Sequence, residues 1–142
     1  MIALADVNVL VALIWESHLH HTAARRWFAT QQRDGWATCS VTQAGFVRVS
    51  SNPRVLQDAI SVTQAVATLA AAIATPGHHL LTDGAGFVDN PLVPHDRLVG
   101  HQQVTDALLV AIAKQHHATL ATLDGGLSSL APDCVTLIPT GS

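Results

Sequence analysis

The sequence predicts an α/β fold of three layers, α/β/α, with helices covering both faces of a central, mostly parallel sheet. Three observations predict it. Short apolar runs of strand length alternate with longer stretches of helical period from Ile2 to Ile138, the pattern of βα units whose strands are buried on both sides. Two of those runs, Ile2–Ala5 and Thr119–Leu123, stop at an aspartate, as a buried strand does on reaching a polar edge. Ser40-Val-Thr-Gln43 and Ser61-Val-Thr-Gln64 both carry the capping-box spacing that opens a helix.

Taken in order, Ile2–Ala5 is a strand ending at Asp6, and Val7–Trp15 continues apolar at helical length. His20–Gln32 reads as an amphipathic helix, with Ala23, Ala24, Trp27 and Phe28 on one side, Arg25 and Arg26 beside them, and Asp34-Gly35 as its stop. The two helices are expected to form a hairpin. Trp36–Cys39 is a short strand. Ser40 then opens a helix through Val49, which ends before Pro53 because the residue preceding a proline is pushed out of the helical region. Ser61 opens an alanine-rich helix to Ala74, closed by Pro76-Gly77, and His79–Leu81 reads as a third strand. Asp83–Gly100, rich in glycine and proline, is the one long irregular segment, the kind of loop that functional sites use. Thr105-Asp106 opens a helix through Gln115, with Ala107, Leu108, Val110, Ala111 and Ile112 at buried spacing. Thr119–Leu123 is the next strand, Asp124-Gly125-Gly126 a turn, and Val135–Ile138 the last strand.

Length and composition narrow the function classes. At 142 residues the chain is expected to form one domain, 1–142. Apolar residues make up 49% and charged residues 12%, which excludes the low-hydropathy, high-charge signature of disorder. No apolar run reaches about 18 residues without a polar break, and the N-terminus lacks the basic region of a secretory signal. The expectation is a cytoplasmic protein that does not enter membranes. Cys39 and Cys134 form no CxxC pair and read as two buried thiols. A formal charge of −3 excludes a protein that coats nucleic acid by bulk positive charge, so any such partner is held by a local basic patch or through a cation. His18 and His21 have a spacing that places two imidazoles on one helix face, but no HExxH pattern accompanies them, and they read as surface or capping residues.

Ligands in parallel sheets sit outside the carboxyl ends of the strands. Asp6 and Asp124 follow two such ends, and Asp106 stands in the first turn of a helix expected to pack close by. Each has a purely structural reading as well: Asp6 as a helix cap, Asp106 as a charge favoured by the helix dipole, Asp124 as a turn residue. Brought together they repel, by about 4 kcal/mol for two unit charges roughly 4 Å apart at an effective dielectric near 20. Protonation or a divalent cation relieves that repulsion, and Mg²⁺ suits a few hard oxygen ligands because it keeps several waters.

The blocks DVNVLVAL (Asp6–Leu13), HLHHTAARRWF (His18–Phe28), WATCSVTQAGFVRVSSNP (Trp36–Pro53), GHQQVTDALLVAIA (Gly100–Ala113) and ATLATLDGGL (Ala118–Leu127) resemble the PIN-domain family. More narrowly they resemble its VapC branch, the ribonuclease toxins of bacterial toxin–antitoxin pairs. The resemblance implies a PIN-like domain that cleaves RNA, tRNA or rRNA, with Mg²⁺ (Mn²⁺ as an alternative), leaving a 5′-phosphate and a 3′-hydroxyl. Asp6 and Asp106 would be ligands, Asp124 a ligand or water-orienting base, and Asn8, Thr105 and Thr122 polar support. Gln43 stands where the family usually has a glutamate, and Gly126 where a fourth acid is common. Both replacements remove negative charge, so weaker metal binding is expected. Gln43 still carries a carbonyl oxygen, besides its capping role, and Arg48 is a candidate phosphate contact because its planar fork suits phosphate oxygens.

The resemblance further implies a VapB-type antitoxin over the acidic edge and a homodimer. Trp15, Trp27 and Phe28 on the N-terminal hairpin are either a contact face for such a partner or ordinary core. A binding-only module, keeping RNA or partner affinity while cleaving poorly, is the main alternative. A phosphoacceptor domain has little support, since the chain has Asp6-Val-Asn8 rather than a DxD pair, and Lys114 as its one lysine, inside a helix.

Overall fold

Side chains alternate across the strands, and the two sets enter two different cores. The computed structural model describes residues 1–82, 84 and 86–141. Strands β1 (Ala3–Ala5), β2 (Trp36–Cys39), β3 (His78–Leu81), β4 (Thr119–Thr122) and β5 (Val135–Leu137) form one all-parallel sheet in the order β3-β2-β1-β4-β5. Among the described residues, six helices surround it: α1 (Val7–Ile14), α2 (His21–Asp34), α3 (Ser40–Ser50), α4 (Val62–Ile73), α5 (Val104–Gln115) and α6 (Gly125–Leu130). Ala3, Ala5, Trp36 and Ala121 pack against Val9 and Leu10 of α1, Phe46 of α3 and Leu69 of α4. Leu4, Ala37, Cys39 and Leu120 pack on the opposite side against α5 and the α6 leucines Leu127 and Leu130. This is the three-layer α/β/α arrangement expected from the alternating pattern.

From β1 the chain builds outward to β2 and β3, then returns to lay β4 on the free side of β1 and β5 beyond it. The direction of growth therefore reverses between β1 and β4, and a crevice opens at their carboxyl ends. The register pairs Ala5 with Ala121, and Asp6 N–H donates to the Ala121 carbonyl at 2.9 Å. Asp6 and Thr122 thus leave the sheet side by side.

Several local readings shift. The helix after β2 begins at Ser40 itself, and its box is made one residue earlier than expected: Thr42 Oγ1, not Gln43, accepts from Cys39 N–H at 2.9 Å. Cys39 is the last strand residue, so its extended backbone is the natural cap. The box at Ser61 and Gln64 forms as expected. Asp124-Gly125-Gly126 is no plain turn. Asp124 caps α6, and the burial of Leu127 and Leu130 three residues apart outweighs the roughly 1 kcal/mol that each glycine costs a helix. The segment expected to be irregular from Asp83 to Gly100 contains a short 3₁₀ turn, His95–Arg97; Asp83 and Ala85 lie outside the described residues.

Two glycines matter for the packing. Gly35 ends α2 at φ 108°, a conformation that side chains disfavour. Gly45 lets α3 press onto the start of α1, since a Cβ there would lie 2.5 Å from Val7 Cγ2. Trp15, Trp27 and Phe28 are half-buried against the core of α1, α3 and α4, with Phe28 edge-on to Trp36 at 5.2 Å. Cys39 and Cys134 are free, buried thiols, as expected.

Candidate functional site

Asp6 is the hinge of the site because it ends β1 and caps α1 at once. Its Oδ1 accepts from Val7 N–H at 2.8 Å and its Oδ2 from the Thr122 hydroxyl at 2.8 Å. Each carboxylate oxygen has a further lone pair, so capping does not exhaust Asp6. The same holds for Asp124, whose Oδ1 accepts from Gly126 N–H at 2.9 Å. Thr122, fully buried, ties these groups together. Its Oγ1 accepts from Asp124 N–H at 3.0 Å and from Asn8 Nδ2 at 3.4 Å while donating to Asp6. Asn8 Oδ1 in turn accepts from Leu123 N–H at 3.3 Å. Asp106 enters from the third residue of α5.

The three aspartates and Asn8 line one cavity of about 470 Å³ that runs along α1 past Val7 and Val11 to His18. Their charges feel one another. Burial raises the Asp6 carboxyl above 3.8, the bonds from Thr122 and Val7 pull it back, and the Asp124 charge raises it further. Asp106 is pushed up to about 6, by burial first and then by the charges of Asp6 and Asp124. No compensating base is paired with them: among the described residues the one side-chain ion pair is Lys114 with Asp133 at 3.7 Å.

Among the described residues, no three His, Cys, Asp or Glu side chains stand so placed that together they could hold a metal ion. That distinguishes this edge from a closed structural site. Mg²⁺ keeps several waters and commonly takes one or two carboxylates together with substrate phosphate oxygens, so an open edge of hard carboxylate oxygens with lone pairs to spare suits an ion shared with a phosphate.

The other expected residues fall elsewhere. Gln43 and Arg48 line a separate, largely apolar groove of about 680 Å³ between α3 and α4. Gln43 Nε2 donates to Thr38 Oγ1 at 2.9 Å, which engages the amide away from the acidic cavity. The reason is helical phase: the box at Cys39 and Thr42 turns Gln43 toward β2. Thr105 is exposed beside Asp106. Gly126 lines a smaller cavity of about 220 Å³ on the far side of Asp106 and Asp124. His18, read from the sequence as a surface or capping residue, also lines the acidic cavity. No local pattern signals this, because α1 ends at Ile14 and His18 lies in the turn that leads to α2.

A crevice at a sheet reversal, rimmed by carboxylates from three separate parts of the chain, defines an α/β domain built around an acidic strand edge. The PIN domain model matches residues 3–131. Among curated proteins the chain is 48% identical over 131 residues to Ribonuclease VapC38 of Mycobacterium tuberculosis, covering 91% of this chain and 89% of that one. It is 39% identical over 140 residues to Ribonuclease VapC29 of the same species, with 99% and 98% covered. Among solved structures it superposes on VapBC2 from Rickettsia felis, bound to a DNA fragment from their promoter, with a TM-score of 0.66, 14% identity, and 98% of this chain and 100% of that one covered. Mycobacterium tuberculosis VapC20, a sarcin-ricin loop cleaving toxin, gives the same TM-score at 16% identity, with 96% and 99% covered. The chain belongs to the PIN-domain family, in its VapC ribonuclease branch. Among the described residues no helix is long and apolar enough to cross a membrane.

Proposed function

We propose that this chain is an endoribonuclease toxin that hydrolyses RNA phosphodiester bonds at the edge formed by Asp6, Asp106 and Asp124, with Mg²⁺ or Mn²⁺ as cofactor. The observation that carries the reading is one cavity holding three carboxylates that repel one another, none of them in an ion pair among the described residues. The ribonuclease names of relatives with 39 to 48% identity support the reaction class. Bound at this edge, the ion supplies neutralising charge for the phosphate and acidifies water.

The chain's own groups set the geometry. Thr122 and Val7 N–H hold the Asp6 carboxylate in one orientation, which leaves a fixed pair of oxygens facing the cavity. Asp106, a first-turn residue of α5 whose carboxyl makes no hydrogen bond among the described residues, is the adjustable member. Asp124, the exposed one, is a further ligand or orients the attacking water. Asn8 braces the Thr122 hub from α1. The toxin role brings with it a VapB-type antitoxin, and a homodimer fits the same role. RNA, tRNA or rRNA, is the substrate class.

Cleavage of labelled RNA by the wild type and by Asp6→Asn, each with and without Mg²⁺ or Mn²⁺, tests this. Cutting that needs both the metal and Asp6 is expected. Equal cutting by the two forms refutes the site assignment. RNA binding by the wild type without any cleavage returns the binding-module reading.

A further inference from the structure

The acidic cavity does not end at His18. His18, Val55 and Leu56 form a wall shared with a second cavity of about 240 Å³, whose other lining residues are Trp15, Ser17, Gln57 and Asp58. The two are consecutive compartments of one groove. α1 forms one side of it, and the end of α3 with the loop that follows forms the other.

The groove is held in shape. Trp15 Nε1 donates to Ser50 Oγ at 3.0 Å, joining the end of α1 to the end of α3. His18 N–H donates to the Trp15 carbonyl at 3.1 Å, and His21 N–H to the His18 carbonyl at 3.0 Å. His21 Nδ1 lies 2.8 Å from the Ala12 carbonyl, so that nitrogen carries the proton. The His18 ring is fixed too: its Nδ1 accepts from His20 N–H at 3.0 Å. With Nδ1 used as an acceptor, the neutral imidazole carries its proton on Nε2. Burial, then the neighbouring His20 and His21, hold the ring below its ordinary pKa, which keeps it in that neutral form. The polar atom left for a ligand at the wall is a single N–H donor.

The second compartment has a different chemistry from the first. Its lining contains no lysine or arginine, which makes it a poor seat for phosphate. An indole edge, an amide, a hydroxyl and a carboxylate suit a nucleobase, which offers a ring face and a hydrogen-bonding edge. A carboxylate there accepts from a ring or exocyclic N–H.

Resting on the ribonuclease reading, we propose that this second compartment receives one unpaired base of the RNA strand next to the phosphate at the acidic edge, and that His18 Nε2–H donates to the strand where it crosses the shared wall. His18 is then a substrate-binding residue that sets which phosphate lies over the aspartates.

The test separates the two nitrogens of His18. Asn at this position retains an acceptor near Nδ1 for the His20 N–H and lacks the reach of Nε2, whereas Gln retains a donor near Nε2. Affinity for a short fluorescein-labelled single-stranded RNA of mixed sequence is read by anisotropy, with Ca²⁺ in place of Mg²⁺ to limit cutting, beside the melting temperature of each variant. Expected is binding by His18→Gln within about twofold of wild type and by His18→Asn about tenfold weaker, the loss of one hydrogen bond to a charged or polar acceptor. Wild-type affinity in His18→Asn overturns the proposal, because the residue then serves only its turn. Equal weakening of both variants at unchanged melting temperature overturns it as well. No RNA binding by the wild type overturns the ribonuclease reading itself.

Discussion

Replacing Thr122 by valine isolates the device that organises the acidic edge. Valine matches threonine in shape, so no cavity opens, and what is lost is the hydroxyl that donates to Asp6 Oδ2 at 2.8 Å and accepts from Asp124 N–H at 3.0 Å. A hydrogen bond to an ionised group contributes about 1.5–3 kcal/mol. Asp124 is exposed, and water replaces its lost acceptor at little cost. Thr122→Val is therefore expected to lose about 2–3 kcal/mol. Thr122→Ser retains the hydroxyl and deletes one buried methyl, a cost of about 1 kcal/mol. Urea unfolding near pH 7.5 measures both. The sign with pH follows from what the hydroxyl stabilises, which is the ionised form of Asp6. Burial holds that carboxyl above 3.8, so on acidification it takes up a proton in the fold before an unfolded carboxylate does. The charge-assisted part of the bond then disappears, and the gap between Val and Ser variants narrows toward about pH 4. A serine variant as unstable as the valine variant, or a gap that ignores pH, refutes the hub.

Asp106 offers a second test of the same repulsion. Its rise from 3.8 to about 6 equals about 3 kcal/mol unscreened, and roughly 1 kcal/mol once solvent screening of a partly exposed group is allowed for. A carboxyl raised in the fold binds protons more tightly folded than unfolded, so the penalty is absent below about 3.8 and complete above about 6. Asp106→Asn also forfeits about 0.5 kcal/mol of helix-dipole attraction, leaving a net gain of about 0.5 kcal/mol near pH 7.5 that vanishes near pH 4; urea melts showing a constant or inverted difference contradict it. Mg²⁺ at about ten times its Kd should stabilise the wild type by about 1.4 kcal/mol and raise Tm by about 3–5 °C, an effect that Asp6→Asn abolishes in a thermal melt. Gly45→Ala gains up to about 1 kcal/mol of helix propensity but drives a Cβ to 2.5 Å from Val7 Cγ2, and overpacking of about 1–3 kcal/mol should dominate; a raised Tm would show that α1 yields freely.

That Asp6, Asp106 and Asp124 meet at one cavity was legible before any coordinates, because a sheet edge leaves a local mark, a carboxylate where an apolar strand stops or a helix begins. The layering was equally legible, since Leu4 and Ala3 or Leu120 and Ala121 alternate between cores by the simple period of a strand. Amphipathic helices, the stop at Gly35 and the cap at Ser61 are likewise written within a few neighbouring residues. Gln43 shows where local reading stops. Ser40 and Gln43 satisfy the capping spacing, yet Cys39 and Thr42 satisfy it sterically, and that one-residue change of phase carries Gln43 to Thr38 and the α3–α4 groove.

What the sequence determined alone is therefore most of what short-range period and capping set: the strands, the helices other than α6, and carboxylates at two strand ends and one helix start. Tertiary structure decided the strand order, which puts β4 beside β1 so that Thr122 meets Asp6 from 116 positions away. It also decided that His18 and the Val55-Leu56 loop share a wall. Such neighbours are chosen by the folding of the whole sheet and the closing of long loops, and no local pattern encodes a distance between residues so far apart along the chain.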